Sequence, residues 1–287
     1  MIQEAHVGFG IFGKEGHQAA RSADFAFTKF SMIKKMLLVL GHWYYQRFTT
    51  LILYFFYKNL VLGNVLFFFQ INSAFSTQSI FDSMYLTLFN LFFTAAPCLI
   101  LSVTEQRWKP DLLLKNPTLY RDIKKNSLMS LPQFAAWLLS ATYHSVIVYF
   151  LTTVAIRYSV IDNDGKTVDL WQFGAILFHL VVLVVNLKLL LHTRYQTFVM
   201  MVSVLLSFLL YVVFNLLYSY FYVAIDGDIL GTYTRLLCSP SFYFLNVVVI
   251  VIALVPDYLV RLASETWASQ YINPLLAGKT KIFNTRF

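Results

Sequence analysis

Charged residues are scarce in this 287-residue chain. Only 13% of its residues are Asp, Glu, Lys or Arg, against roughly 25% in an ordinary soluble domain. Hydrophobic residues reach 58%, and the mean hydropathy is +0.63. This shortage of charge argues against a soluble globular domain and favours a membrane protein.

Cysteine and metal-binding patterns are also nearly missing. The two cysteines, Cys98 and Cys238, are too few for a disulfide framework. The six histidines show no metal-ligand spacing, and no Ser/His/Asp set can be argued, because the acidic residues lie mostly in predicted loops. We therefore predict neither catalytic nor metal-ligating residues in this chain.

The net charge of +8 does not indicate a nucleic-acid partner. The basic residues cluster between apolar runs, where they act as topology signals, and do not form one groove. Residues 1–35 are polar and glycine-rich and contain no apolar core of a secretory signal. We therefore expect membrane insertion to begin at the first internal span.

Six apolar runs are long enough to cross the hydrocarbon layer of a membrane. Only helices are expected there, because an open strand would leave backbone groups unpaired in lipid. The predicted fold is an all-α polytopic membrane protein with six transmembrane helices, at 48–70, 84–103, 132–156, 171–192, 198–222 and 240–261.

The basic residues are distributed unevenly between the two ends of these spans. Most of the 22 Lys and Arg residues lie in the N-terminal segment, in the 104–131 linker, beside the 193–197 turn or after the last span. Only Arg157, Lys166 and Arg235 lie at the opposite ends. Positive residues collect on the cytoplasmic side, so we expect both termini in the cytoplasm, in either the plasma membrane or an endomembrane.

Two short motifs resemble known binding loops but lack other residues or elements that such loops require. Residues 8–13 match G-x-G-x-x-G, but a dinucleotide site needs a preceding strand and a following βαβ unit, which we expect to be absent. Residues 161–169, IDNDGKTVD, resemble a calcium loop that lacks its distal glutamate. We interpret the first as a turn beside a strand and the second as a plain turn.

Lys58 stands near the centre of the first predicted span. A charge at that depth costs about 2.5–3.5 kcal/mol, and the lysine stem is too short to bring its ammonium to the membrane surface. Lys58 is therefore expected to face the helix bundle or a wet cavity. Asn59, Gly63 and Gln70 add a polar, small-residue side to the same helix.

The second span carries a polar stripe. Thr87, Asn90, Thr94 and Pro97 recur at helical spacing, and Pro97 leaves the carbonyl of Phe93 without its helical donor. Such a stripe with a kink is typical of a substrate or ion path. The alternative is that Asn and Thr only hold helices together, but a central lysine on the preceding helix favours the functional interpretation.

Several stretches are similar to type IV P-type ATPases, the phospholipid flippases. The end of their phosphorylation domain resembles residues 1–27, MIQEAHVGFGIFGKEGHQAARSADFAF. Their fifth and sixth transmembrane helices resemble GHWYYQRFTTLILYFFYKN (41–59) and YLTLFNLFFTAAP (85–97), and their next linker resembles NPTLYRDIKKNSLMS (116–130). The resemblance covers essentially the whole chain and leans towards the animal-type branch.

The resemblance implies three parts: a remnant of the α/β phosphorylation domain at 1–35, a transmembrane domain at 36–261 equivalent to family helices five to ten, and a cytoplasmic tail at 262–287. The family's D-K-T-G phosphorylation motif and G-D-G-A-N-D magnesium motif do not occur in these 287 residues. The nucleotide-binding domain, the actuator domain and the first four helices are also missing. We therefore expect this chain alone to be catalytically inactive.

The resemblance also implies roles and partners. Lys58 and Asn59 match the family's fifth-helix K-N pair and Asn90 its sixth-helix asparagine, so they are expected to handle the lipid headgroup or to couple its passage to dephosphorylation. The implied function is ATP-driven movement of phosphatidylserine or phosphatidylethanolamine from the outer to the cytoplasmic leaflet. Mg²⁺ and ATP are implied for the full-length protein, with no site for either in these residues, and family analogy implies an accessory membrane subunit.

Two other functions remain open at this point. The first is a non-catalytic multi-pass membrane protein with a regulatory or assembly role, made as this short chain. The second is an unrelated channel or carrier, which is disfavoured because the sequence has no repeated halves, ring of charge or filter loop.

Overall fold

The computed structural model describes residues 2–13, 17–158, 168–220 and 231–277, and most of them are helical. In chain order its elements are β1 (Phe9–Ile11), α1 (Gln18–Arg21), β2 (Phe25–Phe27), α2 (Met32–Asn72), α3 (Ser83–Thr104), α4 (Pro110–Lys115), α5 (Arg121–Lys124), α6 (Leu131–Tyr158), α7 (Leu170–His192), α8 (Phe198–Tyr220), α9 (Thr232–Cys238) and α10 (Pro240–Ala277).

Six of these helices, α2, α3, α6, α7, α8 and α10, are long and apolar enough to cross a membrane. This confirms the all-α polytopic fold and its six spans. Two of the helices run well past the predicted ranges, since α2 begins at Met32 and α10 continues to Ala277. Hydropathy marks only the part of a helix that suits lipid, and polar residues extend the same helix beyond it. The end of the fifth predicted span and most of the 161–169 turn lie outside the described residues.

The N-terminal segment corrects one expectation. Strands β1 and β2 pair in parallel, with Phe9 opposite Phe25, and the short helix α1 connects them. A small βαβ unit is therefore present where none was expected, because parallel neighbours require a crossover. The glycine motif at 8–13 contains strand β1 and does not follow it, so the geometry of a dinucleotide fingerprint is still not met.

Helix α2 contacts the linker between α3 and α6 over its first half. Trp43 Nε1 donates to the carbonyl of Trp108 at 3.1 Å, and Arg47 Nε donates to the carbonyl of Glu105 at 2.7 Å. Tyr45 OH donates to Asn126 Oδ1 at 2.7 Å. Three side chains at alternate positions of α2 thus hold the 105–130 linker against the first half of this helix.

Glu105, at the start of this linker, is buried and hydrogen-bonded to two other parts of the chain. Its side-chain Oε1 accepts from the backbone N–H of Arg194 at 3.1 Å, in the turn between α7 and α8. Burial raises the pKa of the Glu105 carboxyl, and hydrogen bonds from the backbone N–H groups of Arg194 and Tyr195 oppose that shift. One carboxylate therefore connects the ends of three spans.

Helix α7 lies at the centre of the bundle and is buried over most of its length. Phe178 is fully buried and its ring stacks on Tyr85 at 5.0 Å between centroids. It also meets Phe89 and Tyr211 at 5.8 and 5.9 Å. In a membrane, close side-chain packing of this kind replaces the hydrophobic drive that holds soluble bundles together.

Helix α8 shows the inverse of a soluble amphipathic helix. Every fourth residue on its inner side is polar and buried, namely Ser203, Ser207, Tyr211, Asn215 and Ser219. Its outer side is apolar and exposed. This is the pattern expected of a helix that faces lipid on one side and other helices on the other.

The segment that connects α2 to α3 crosses the start of α7. Ile80 and Phe81 are 1% exposed, and the Asp82 carboxylate caps α3 by accepting from the backbone N–H of Met84 at 2.8 Å. The contact with α7 depends on Gly174, because a Cβ built there would lie 2.0 Å from the carbonyl oxygen of Ile80. Only glycine allows the two backbones to approach this closely.

We predict that Gly174→Ala destabilises the protein, because the added methyl group meets a backbone atom that cannot move aside without displacing the connection. Overpacking of this kind costs about 1–3 kcal/mol. Gly63→Ala is the matched control, since a Cβ at Gly63 has no atom within 4 Å. The measurement is the midpoint of heat-induced loss of monodisperse protein in detergent. A midpoint for Gly174→Ala equal to that of Gly63→Ala would contradict the predicted close contact.

Candidate functional site

Lys58 on α2 meets Thr94 on α3 in the interior of the bundle. The side chain of Lys58 is 2% exposed and Thr94 is fully buried. Lys58 Nζ donates to Thr94 Oγ1 at 2.9 Å and lies 5.1 Å from the centroid of the Phe55 ring. The hydroxyl and the ring face are the contacts that the structure gives this ammonium.

No acidic side chain neutralises Lys58 within the described ranges, where the ion pairs involve Lys188, His144 and Arg261 instead. An ammonium has three N–H donors, and one of them is used by Thr94. A buried cation without an anionic partner is expensive in a membrane-spanning helix. Among the described residues, the Lys58 ammonium therefore has no anionic partner.

Helix α3 is broken beside this lysine. Residues Phe89–Phe93 form a wide π-helical turn, and Thr94 has φ −131° and ψ 0°, outside the helical region. The Thr94 hydroxyl donates to the carbonyl of Phe89 at 2.7 Å. Pro97 has no backbone N–H to donate to the Phe93 carbonyl. This carbonyl instead accepts a hydrogen bond from Asn186 Nδ2 of α7 at 3.1 Å. The carbonyl predicted to be freed by the proline is thus satisfied from another helix.

Asn59 and Asn90 connect the same two helices at a more exposed level. Asn90 Nδ2 donates to Asn59 Oδ1 at 2.9 Å, and Asn59 Nδ2 donates back to the carbonyl of Phe55 at 3.0 Å. Asn90 is exposed and Asn59 half-buried. This amide pair holds the helices together and also presents polar atoms beside Lys58.

The four residues of the predicted stripe do not share one environment. Thr87 and Asn90 are exposed, whereas Thr94 and Pro97 are buried. The Thr87 hydroxyl donates to the carbonyl of Ser83 in its own helix at 3.0 Å. The spacing argument assumed 100° per residue throughout, but the π turn adds residues to one turn and changes the direction of the side chains after it. Lys58, Asn59, Asn90 and Thr94 are brought together, and Thr87 is not.

A second polar cluster, which the sequence analysis missed, lies on the other side of α2. Lys188 Nζ of α7 is 2.5 Å from Asp257 Oδ2 of α10, and His144 Nε2 of α6 is 3.0 Å from the same oxygen. Tyr57 OH, next in the chain to Lys58, is 2.6 Å from His144 Nδ1. Four helices therefore meet in one polar cluster around the half-buried carboxylate of Asp257.

The sequence does contain a signal for this cluster. Lys188 and Asp257 both fall inside predicted spans, where an ionisable residue requires a partner. In the sequence, Lys188 resembles a flanking cytoplasmic charge, because it stands close to the end of its span. The structure instead buries Lys188 at 8% exposure and pairs it with Asp257. The basic asymmetry between the two membrane sides hardly depends on this one residue.

No cluster of His, Cys, Asp and Glu within the described ranges is placed to hold a metal ion. The donor set of this region is also wrong for Mg²⁺, which prefers several oxygen ligands in octahedral geometry. The chemistry of the region is instead that of a buried ammonium, a threonine hydroxyl and two amides. These groups suit recognition of an anion with further polar atoms.

Comparison with known proteins shows the family of this chain. Residues 20–270 match the family model described as phospholipid-translocating P-type ATPase C-terminal. The human phospholipid-transporting ATPase IH is 38% identical over 274 residues, which are 93% of this chain and 24% of that protein. Its mouse counterpart is 42% identical over 219 residues, covering 76% of this chain and 18% of that protein.

A plant relative shows the same partial coverage. The Arabidopsis thaliana probable phospholipid-transporting ATPase 5 is 31% identical over 275 residues, 96% of this chain and 22% of that protein. The chain spans about a quarter or less of the length of these curated relatives. By its family model and its six membrane helices, the chain belongs to the phospholipid-translocating P-type ATPases and corresponds to their C-terminal membrane region.

Proposed function

We propose that this chain is the membrane half of an ATP-driven flippase that moves aminophospholipids from the outer to the cytoplasmic leaflet. The headgroup-handling residues in this proposal are Lys58, Asn59 and Asn90, with Thr94 and the break near Pro97 shaping the path. The observation that carries the proposal is the ammonium of Lys58, which is buried, bonded to a hydroxyl and without an acidic partner among the described residues.

The chemistry of an aminophospholipid headgroup fits these groups. Its phosphodiester, and the carboxylate of phosphatidylserine, offer anionic oxygens to Lys58 Nζ. Charge-assisted hydrogen bonds of this kind are roughly twice as strong as neutral ones. The Asn59 and Asn90 amides provide both donors and acceptors, so their mutual bond at 2.9 Å is exchangeable for bonds to a passing headgroup. The acyl tails can remain in lipid.

The broken helix α3 supports the same proposal. Discontinuous membrane helices expose backbone groups near the middle of the bilayer and are a recurring element of transporter binding sites. Here the π turn Phe89–Phe93 and the non-helical Thr94 lie directly against Lys58. A substrate that competes for the Thr94 hydroxyl would therefore act where α3 already departs from regular helical geometry.

Helix α2 offers a route from this site to the cytoplasmic end in the proposed orientation. It extends from Met32 to Asn72 as one helix, with a π-helical turn at Met36–Leu40, and is hydrogen-bonded to the 105–130 linker through Trp43, Tyr45 and Arg47. A continuous helix transmits a small rigid shift over its whole length. We propose that occupation of the site by a headgroup is reported along α2 in this way.

ATP and Mg²⁺ belong to this proposal only through the family. The described residues do not fit a magnesium site, so we assign no residue of this chain to either and derive no step through them. An accessory membrane subunit is proposed by family analogy. The orientation with both termini in the cytoplasm is supported by the distribution of Lys and Arg.

We predict that Lys58→Ala weakens the lipid response about tenfold, because one charge-assisted hydrogen bond is lost. The protein to test is a chimera in which these 287 residues replace the matching C-terminal segment of human phospholipid-transporting ATPase IH. ATPase rate against phosphatidylserine concentration gives the response, and phosphoenzyme level and expression are measured beside it. Lys58→Ala should form phosphoenzyme normally and express at least as well as the parent, since a buried charge is removed.

Asn59→Ala and Asn90→Ala should show weaker versions of the same defect, and Thr87→Ala is the matched control because its hydroxyl serves only its own helix. A chimera whose Lys58→Ala variant expresses well and keeps its full lipid response would refute the role of Lys58. So would a parent chimera that forms phosphoenzyme but shows no lipid-stimulated turnover.

The orientation is tested by glycosylation. Acceptor sites engineered into residues 157–170 should be modified in the endoplasmic reticulum, because the positive-inside rule places that segment outside the cytoplasm. Acceptors placed in the 105–130 linker should stay unmodified. The opposite pattern would reverse the proposed topology.

The purified 287-residue chain should acquire no acid-stable phosphate from labelled ATP. Phosphoryl transfer requires a positioned acceptor and its metal ligands, and D-K-T-G does not occur in this sequence. The parent chimera serves as the positive control. Acid-stable labelling of the chain alone would show that it contains a phosphorylation site that its sequence does not suggest.

A further inference from the structure

Tyr57 and Lys58 fix one turn of α2 from two directions. They are consecutive in the helix and therefore point about 100° apart around its axis. Tyr57 OH lies 2.6 Å from His144 Nδ1 on α6, whereas Lys58 Nζ donates to Thr94 Oγ1 on α3 at 2.9 Å. Both side chains are at most 2% exposed.

The contacts of His144 indicate which of its two ring nitrogens carries the hydrogen. Its Nε2 atom faces two acceptors, Asp257 Oδ2 at 3.0 Å and the carbonyl of Ala253 at 3.0 Å. Nε2 must therefore carry a hydrogen, and in the neutral ring Nδ1 is then an acceptor. Tyr57 donates its hydroxyl hydrogen to that atom. In this neutral tautomer the bond runs from α2 to α6.

The carboxylate of Asp257 anchors this arrangement. Its Oδ2 atom also contacts Lys188 Nζ, which donates in addition to Ser140 Oγ on α6 at 3.2 Å. The ammonium lies 5.8 Å from the centroid of the Tyr57 ring. The anchor therefore combines a balanced pair of charges with hydrogen bonds to helices α6, α7 and α10. Removal of either partner would leave the other charge uncompensated inside the bundle, which is costly.

We propose that this Tyr57 anchor, made of Tyr57, His144, Asp257 and Lys188, positions Lys58 for the headgroup by setting the rotation of α2. The inference depends on the proposed function of Lys58. The lysine ammonium stands about 8 Å from the helix axis, so a rotation of about 10° moves it by more than 1 Å. A displacement of that size is enough to disrupt a positioned contact. Tyr57 is a positioning residue and needs no contact with lipid.

Tyr57→Phe tests this proposal in the chimera. The substitution keeps the ring, which packs on Trp137 at 5.8 Å, and removes only the hydroxyl bonded to His144. We expect the phosphatidylserine concentration for half-maximal ATPase to rise about fivefold, with phosphoenzyme level unchanged. His144→Phe removes the same bond, together with the contacts of His144 to Asp257 and Ala253, and should raise this concentration at least as much.

Tyr54→Phe is the matched control. Tyr54 is fully buried one turn earlier on α2, and its hydroxyl donates to the carbonyl of Val185 at 3.3 Å without joining the anchor. Removal of the Tyr54 hydroxyl should leave the lipid response unchanged. If Tyr57→Phe and His144→Phe both fail to accumulate as folded protein while Tyr54→Phe does, the anchor is structural and the proposal is refuted.

A double-mutant cycle separates positioning from general weakening. In a Lys58→Ala background Tyr57→Phe should have no further effect on the lipid response, since the group that it positions is gone. Equal effects with and without Lys58 would overturn the inference while leaving the proposed function intact. If Lys58→Ala itself has no effect, the proposed function fails first, so the two failures are distinguishable.

Discussion

The constraint on which this structure depends is the cost of placing a charge inside a membrane. Among the described residues, the bundle buries two lysine ammonium groups on adjacent helices. An acidic side chain neutralises one of them and not the other. Lys188 is neutralised by Asp257 at 2.5 Å, whereas Lys58 meets a hydroxyl and an aromatic ring. A charge balanced by its own protein suits a structural role, and one left unbalanced suits a binding role.

The architecture around Lys58 follows from that difference. The side of α2 that faces α6, α7 and α10 is held by tyrosine, histidine and an ion pair. The side that faces α3 meets a helix interrupted by a π turn and a proline. The helix that carries the lysine is therefore firmly held on one side and faces a deformable partner on the other. In the proposed function, a bound anion would therefore deform α3 locally, while α2 responds only by a small shift of the whole helix.

The sequence predicted the spans well because an apolar run of about 20 residues has few other stable states in a membrane. It also predicted that Pro97 would free the Phe93 carbonyl, but not that Asn186 from a helix nearly a hundred residues away would satisfy it. Contacts between distant helices leave no local pattern. Lys188 and Asp257 each fall inside a predicted span and so required a partner, but the sequence does not show that they pair with each other.

Two further differences have local causes. The polar stripe of α3 was drawn with a constant helical period, and the π turn before Thr94 breaks that period. The small βαβ unit at the N-terminus was unexpected because strands of three residues have too little pattern to detect. Tertiary packing, which single-sequence periodicity does not describe, decides both features.

The proposed function requires the headgroup of a phospholipid to contact Lys58. The most direct measurement is photo-crosslinking of the reconstituted chimera with a phosphatidylethanolamine that carries a photoactivatable group on its headgroup, followed by mass-spectrometric mapping of the adducts. We expect adducts on α2 and α3 around Lys58 and Asn90 that excess phosphatidylserine suppresses. Adducts confined to the lipid-facing sides of α8 and α10, unaffected by competing lipid, would contradict this expectation.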